Sequence, residues 1–306
     1  MTGDIRAKIE DCEERLFAKY EVSPRRRLLE LDSQPGVVRV LEVGEGPPVL
    51  LLHPAGLFGA FWSSQFVRLQ GYRLLAPDLP GHGLSGAVDY TGLDLRHKFV
   101  SDLTAILDAL EIERAAIVGN SMGGMYGLWT ALAEPTRVTR LVVVGVPGVV
   151  LKGARESLAG ALLGIRGLNR FLLRLPSSPK LSRATLSAAM ASGTSRTADP
   201  ELFEIHYLAG RRPEVVVSFT TMIERMIRGT KPRSEVVLRE DELAKLRVPT
   251  RFFVGDADVL GGRAIADNAA RHIADATVQS MAGGHFLSLD QPDEFARLVS
   301  IALSEA

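Results

Sequence analysis

The feature that most constrains this chain is a series of short, continuous apolar runs spaced by helical patterns. PVLLL (48–52), AAIVGN (115–120) and RLVVVGV (140–146) are too uniformly apolar to present one face to water. Runs of this kind are strands buried on both faces, which is the habit of parallel sheets. Between two of them, LRHKFVSDLTAILDALEI (95–112) carries Phe99, Leu103, Ile106 and Leu110 at helical spacing. Parallel strands cannot be joined by a tight hairpin and need a crossover, usually a helix. The alternation therefore predicts an α/β domain with a mainly parallel sheet covered on both faces. GYRLLAPDLPGHGLS (71–85), VPTRFFVGDADV (248–259) and ATVQSMAGGHF (276–286) repeat the same grammar, a strand followed by a loop rich in Gly or Pro. QPDEFARLVSIAL reads as a closing helix with Pro292 at its start, where a missing N–H costs nothing.

Two regions break this rhythm. Ile5, Ile9, Cys12 and Leu16 recur at helical spacing, so residues 1–27 read as a helical extension that docks on the body. RRRLLELDS and GVVRVLEVGEG then read as two strands around a Pro35–Gly36 turn. Residues 147–233 lack a buried strand and read as helices broken by Pro176, Pro179, Gly193, Pro200 and Pro213. This segment holds 14 Lys or Arg against 6 Asp or Glu in a chain whose formal net charge is zero. It reads as a mostly helical cap inserted into a core formed by 28–146 and 234–306. The charge balance gives no field that favours nucleic acid. Cys12 is the single cysteine, so no internal disulfide can form. No apolar run reaches the roughly 20 residues of a membrane span, and the charged first twenty residues do not resemble a signal peptide. The expectation is a cytoplasmic protein, monomeric or homodimeric, acting on a small molecule.

IVGNSMGGMYG (117–127) carries the chemistry. Four glycines within nine residues are costly in conformational entropy, and Gly119, Ser121 and Gly123 form G-x-S-x-G between a strand and a helical run. In that setting the chain turns so sharply that Ser121 is strained and side chains two positions away would collide. The N-terminus of the following helix favours negative charge at the same place. A phosphate loop would bring a lysine, and none follows. Ser121 is therefore the candidate nucleophile.

A serine hydroxyl needs a base. Of six histidines, His97 and His272 lie in helical runs, His206 lies in the cap, and His53 and His82 sit in strand-end turns where they hold loop geometry. His285, in GGHF after the last strand, has the placement of a base, since open parallel sheets build their sites at strand C-termini. The acid that orients it should end an earlier strand, and VGDADV offers Asp258, with Asp256 as the alternative in a turn-stabilising role. The oxyanion needs two N–H donors. One is Met122. The second lies in HPAGLF, where Pro54 has no N–H, leaving Ala55 or Gly56. Phe58, Phe203, Tyr207, Phe219, Met222 and Met226, with Phe286 beside the base, are candidates for the substrate wall.

With GNSMGG, LLHPAG, APDLPGHGLS, VGDADV and GGHF in this order, the chain from about residue 28 resembles the α/β-hydrolase superfamily. The resemblance implies an eight-stranded, mostly parallel sheet, a helical cap after the sixth strand, and no cofactor. His53-Pro54 replaces the usual His-Gly of the oxyanion loop. Serine at 121 argues against the branches that use aspartate there. GNSMGG is similar to the elbow of hydrolases that cleave carbon–carbon bonds in ring-fission products, but those usually have Trp where this chain has Phe286. Proline iminopeptidases prefer Trp where this chain has Met122. A carboxylic ester cleaved through an acyl-enzyme is the expected chemistry. A carbon–carbon bond hydrolase, a lyase or perhydrolase on the same triad, and a binding protein with a relic triad are the alternatives.

Overall fold

The computed structural model describes residues 2–32, 36–154, 165, 178–228 and 231–305. Pro35, Pro176 and the other residues of 155–164 and 166–177, in the segment expected to be a cap, lie outside the described residues. The strands are β1 (Arg25–Glu30), β2 (Val37–Val43), β3 (Pro48–Leu52), β4 (Arg73–Pro77), β5 (Ala115–Asn120), β6 (Val138–Val144), a short pair β7 (Ile227–Arg228) and β8 (Lys231–Pro232), β9 (Thr250–Gly255) and β10 (Ala276–Met281). Eight of them form one sheet in the order β1-β2-β4-β3-β5-β6-β9-β10. The pairings of β2 with β1 and β4 are antiparallel, and every other pairing in the sheet is parallel.

The apolar runs are buried on both sides, as their uniformity requires. Leu50, Leu52, Ile117, Val143 and Phe252 point into one core, beneath α3 (Leu95–Ala109), α4 (Met122–Ala133) and α10 (Arg263–Ala270). Leu51, Val118, Val142, Val144 and Phe253 point into the other, beneath α1 (Thr2–Lys19), α2 (Ser63–Phe66) and α12 (Pro292–Ser304). Strand order reverses between β3 and β5, and a crevice outside the carboxyl ends of the strands at such a point is where this class of sheet takes ligands.

After β6 the chain forms α5 (Pro179–Ser187), α6 (Thr194–Thr197), α7 (Pro200–Ala209) and α8 (Pro213–Met226). Pro179, Pro200 and Pro213 begin these helices rather than break them. Their fixed φ and absent N–H suit the first turn. The small β7–β8 hairpin also lies in this stretch, where the sequence suggested helices alone. Between β8 and β9 lies α9 (Glu240–Leu243), and α11 (Leu287–Asp290) precedes α12.

The N-terminal helix is part of the structure's frame. Ile9, Cys12, Leu16 and Phe17 of α1 are buried, each such side chain contributing about 2 kcal/mol. On its other flank α1 meets α7: Arg15 pairs with Glu204 at 2.9 Å and Lys19 with Glu201 at 2.5 Å, while Tyr20 donates to Asp199 at 2.7 Å. Glu13 of the same helix is buried and takes two bonds, 2.6 and 2.7 Å, from the guanidinium of Arg39 on β2. Arg39 also reaches Asp78 at 2.7 Å.

Candidate active site

Ser121 stands between β5 and α4 with φ 53° and ψ −112°. For a residue with a side chain this conformation costs on the order of 1–3 kcal/mol and persists only where its surroundings impose it. The flanking glycines show what imposes it. A Cβ on Gly119 would lie 2.3 Å from the Gly123 carbonyl oxygen, and one on Gly123 would lie 2.1 Å from the Leu52 carbonyl oxygen. Backbone meets backbone at both points, so neither neighbour can move aside. The Ser121 N–H donates to Val144 O at 3.0 Å, tying the elbow to the end of β6.

His285 and Asp258 meet at the ends of β10 and β9. The imidazole Nδ1 lies 3.0 and 2.9 Å from the two carboxylate oxygens, so Nδ1–H donates and Nε2 keeps its lone pair. Both side chains are almost wholly buried. The carboxylate is itself held by the N–H groups of Val146 and Leu260, each at 2.9 Å. Asp256 is exposed. The turn-stabilising bond expected of Asp256 is made instead by Asp258, whose Oδ1 accepts from the residue two ahead. A Cβ on Gly145, which has φ +66°, would sit 2.9 Å from His285 Nδ1 and 3.1 Å from Asp258 Oδ2. The imidazole–carboxylate pair thus lies against the residue that follows β6, beside the elbow. Among the described residues no hydrogen bond joins Ser121 Oγ to His285. Such bonds are often long before substrate binds and tighten in the complex.

The candidate oxyanion loop leaves β3 at His53. Its Nε2 accepts the Leu79 N–H at 2.9 Å and its Nδ1 donates to Pro54 O at 2.7 Å, so both ring nitrogens hold the loop. Burial pushes the imidazole of His53 down to about 3 and that of His82 to about 4, so both stay neutral. Leu57 N–H closes a turn onto Pro54 O, and Asp78 accepts the Gly59 N–H at 2.6 Å. Among the described residues neither the Ala55 nor the Met122 N–H donates to a protein acceptor.

The apolar candidates pack in two different buried clusters. Phe58, Phe203, Tyr207 and Phe286 pack in the core beneath α1 and α12, with Phe203 under the Arg183 guanidinium at 4.1 Å. Phe219, Met222 and Met226 pack with the opposite core. Phe219 reaches the oxyanion loop, since a Cβ on Gly56 would lie 3.6 Å from its ring. Phe286 stands 5.5 Å from the His285 ring and meets Phe61 edge to face. His206 is occupied by the Ser182 hydroxyl at 2.6 Å, and burial holds its imidazole down near 4.

Three residues at the site escaped the sequence reading: Asn120, Gly145 and Asp290. The Asn120 amide donates to Val144 O at 2.9 Å and His285 O at 3.1 Å. Its position directly before the candidate nucleophile was the available signal. Gly145 directly after a strand was another. Asp290 offered none.

Relatives and solved structures agree with this geometry at the level of the family. The alpha/beta hydrolase family profile matches residues 49–298. The chain is 30% identical over 276 residues to a 2-hydroxymuconate semialdehyde hydrolase of Pseudomonas putida, covering 86% of this chain and 89% of the relative. A meta-cleavage product hydrolase from Pseudomonas fluorescens IP01 superposes with a TM-score of 0.72 at 25% identity, covering 90% of this chain and 97% of that one. A carboxylesterase from Bacillus subtilis shares the fold, with a TM-score of 0.71 at 18% identity and coverage of 98% and 99%. Carbon–carbon bond hydrolases and esterases therefore both stand among the similar proteins, and the chain belongs to the alpha/beta hydrolase family.

Proposed function

We propose that the protein is a serine hydrolase that cleaves a small carboxylic ester through an acyl-enzyme, with Ser121 as nucleophile, His285 as base and Asp258 as its orienting acid. The observation that carries this reading is the Asp258–His285 pair, with Nδ1 on the carboxylate, beside a strained serine elbow. In the first half-reaction His285 takes the Ser121 proton as Oγ attacks the ester carbonyl. The Met122 and Ala55 amides take the oxyanion, each donor being worth about 3 kcal/mol in the transition state. The imidazolium, stabilised by Asp258, returns its proton to the departing alcohol. Water activated by His285 then releases the acid and restores Ser121. The insertion 147–233 acts in this reading as the cap that shapes the substrate space, with Phe219 on its wall beside Gly56.

A second reading shares the same residues but breaks a carbon–carbon bond next to a ketone, water's hydroxyl ending on the acyl carbon and its hydrogen on the other carbon fragment. It is favoured by the P. putida relative, whose similarity runs through 86% of this chain. Assaying aryl esters and 2-hydroxymuconate semialdehyde side by side separates the two by which kcat/KM is larger. In either case Ser121→Ala is expected to lower the rate on the order of 10⁴-fold or more. A fluorophosphonate should add once to the wild-type protein and not to Ser121→Ala. Turnover by the variant at the wild-type rate would end both readings.

A further inference from the structure

The main chain of His285 is gripped from two sides. On the elbow side Asn120 donates to its carbonyl at 3.1 Å. On the other side its N–H donates to Ala189 O at 2.7 Å, and Ala189 belongs to the insertion, just after α5. Next to it the Asp290 carboxylate spans the same junction. One oxygen accepts the Gly284 N–H at 2.7 Å and the other accepts the Ala191 N–H at 2.9 Å. The fit leaves no slack. A Cβ on Gly284 would lie 2.7 Å from Ala189 O and Met190 C and 2.8 Å from Ala191 N.

We propose that Asp290 is a positioning residue for the base, clamping the His285 loop onto the cap segment Ala189–Ala191, so that His285 is in register only when this part of the insertion is seated. The proposal rests on the reading of His285 as the base. The insertion is then more than a cover that selects substrate by shape, because one of its turns is part of the bearing on which the imidazole is mounted. A carboxylate suits the junction because two N–H donors converge on it and neither oxygen needs a proton. An amide cannot replace it, since its NH2 would face one of the two donors. Misplacement of a reacting group by about 1 Å can cost up to a hundredfold in rate, so a loosened clamp should act on the chemical step.

The test is the kinetics of fluorophosphonate labelling, followed by intact mass across a range of reagent concentrations. This yields the maximal rate kinact and the half-saturating concentration KI without knowledge of the natural substrate. Wild type, Asp290→Asn, Gly284→Ala and the neighbouring control Asp293→Asn are compared, each checked for folding by circular dichroism. Asp290→Asn is expected to lower kinact about tenfold or more with KI little changed. Gly284→Ala, which pushes the cap segment away without touching Asp290, should give the same pattern, so the idea stays testable if one variant does not fold. Asp293→Asn should behave as wild type. Folded Asp290→Asn with wild-type kinact, or with a change in KI alone, would overturn the clamp while leaving the triad standing. Wild-type protein that is not labelled at Ser121 would overturn the reading of the site, and the clamp with it.

Discussion

Helices α7 and α8 are consecutive in the chain, yet they are mounted on the core by different physics. The α8 helix is held by bonds from side chains to backbone: Ser218 Oγ accepts the Val88 N–H at 2.9 Å, Thr221 Oγ accepts the Tyr90 N–H at 3.0 Å, and Arg225 donates to Leu93 O at 2.9 Å. Val88 and Tyr90 are buried, so their N–H groups gain acceptors from α8 in place of water. The α7 helix is held by charge. Its partners are Arg15 and Lys19 on the N-terminal helix and Tyr20 just after it; that helix is in turn rooted by Glu13 in the buried pair with Arg39. Side-chain-to-backbone bonds inside the protein ignore salt. Half-exposed ion pairs do not. The same insertion thus has one fixed foot and one foot whose grip depends on pH, salt and the N-terminal extension.

Four measurements would break or sharpen this contrast. The largest effect should come from Glu13→Ala, which leaves Arg39 buried with one carboxylate. Removing one partner of a buried pair costs about 3–5 kcal/mol. Burial pushes the Glu13 carboxyl up, with Arg39 opposing it and Asp78 adding to it. Urea unfolding that shows less than about 1 kcal/mol of loss would mean that α1 is not rooted there.

Acid comes next. His206 on α7 titrates near 4 in the folded protein against an ordinary 6.5, because burial disfavours its cation. The unfolded chain therefore takes up protons first, and stability should be full above pH 6.5 and fall as pH drops towards 4. The loss amounts to roughly 3 kcal/mol for this residue. His53 and His82 act in the same direction. His206→Gln should flatten the pH–stability curve between 6.5 and 4, and an unchanged slope would remove His206 from the account.

Ser218→Ala strips the Val88 N–H of its acceptor, and an orphaned buried donor costs about 1–3 kcal/mol. That loss should be the same at low and high salt. The smallest effect belongs to Lys19→Ala, at about 1 kcal/mol or less, and it should shrink further in concentrated salt. Equal salt dependence in Ser218→Ala and Lys19→Ala would erase the distinction between the two feet.

The parts that local pattern can encode were legible in the residues. Uniformly apolar runs gave the strands, helical spacing gave α3, and G-x-S-x-G between them gave the elbow at Ser121. The order of Asp258 and His285 at strand ends was legible too, because strand ends converge in this fold whatever the loops contain. The side chains that mount the site were not legible. Asp290 and Ala191 are 99 positions apart and meet only because the turn after α5 folds back onto the segment that follows β10. The seven apolar candidates read alike in the sequence, but the structure divides them between two buried clusters. Helical spacing shows that a side chain is buried and says nothing about which layer buries it.

From its sequence alone this protein is an α/β sheet with a strained serine, a histidine and a carboxylate at its carboxyl edge, since each follows from short-range sterics and hydrophobic periodicity. Tertiary structure alone decided that α1 bears on the insertion and that the turn after α5 bonds the loop of His285. Those outcomes depend on hydrogen-bond distances between segments remote in the chain, and a difference of a few ångströms in packing decides whether such a bond exists at all.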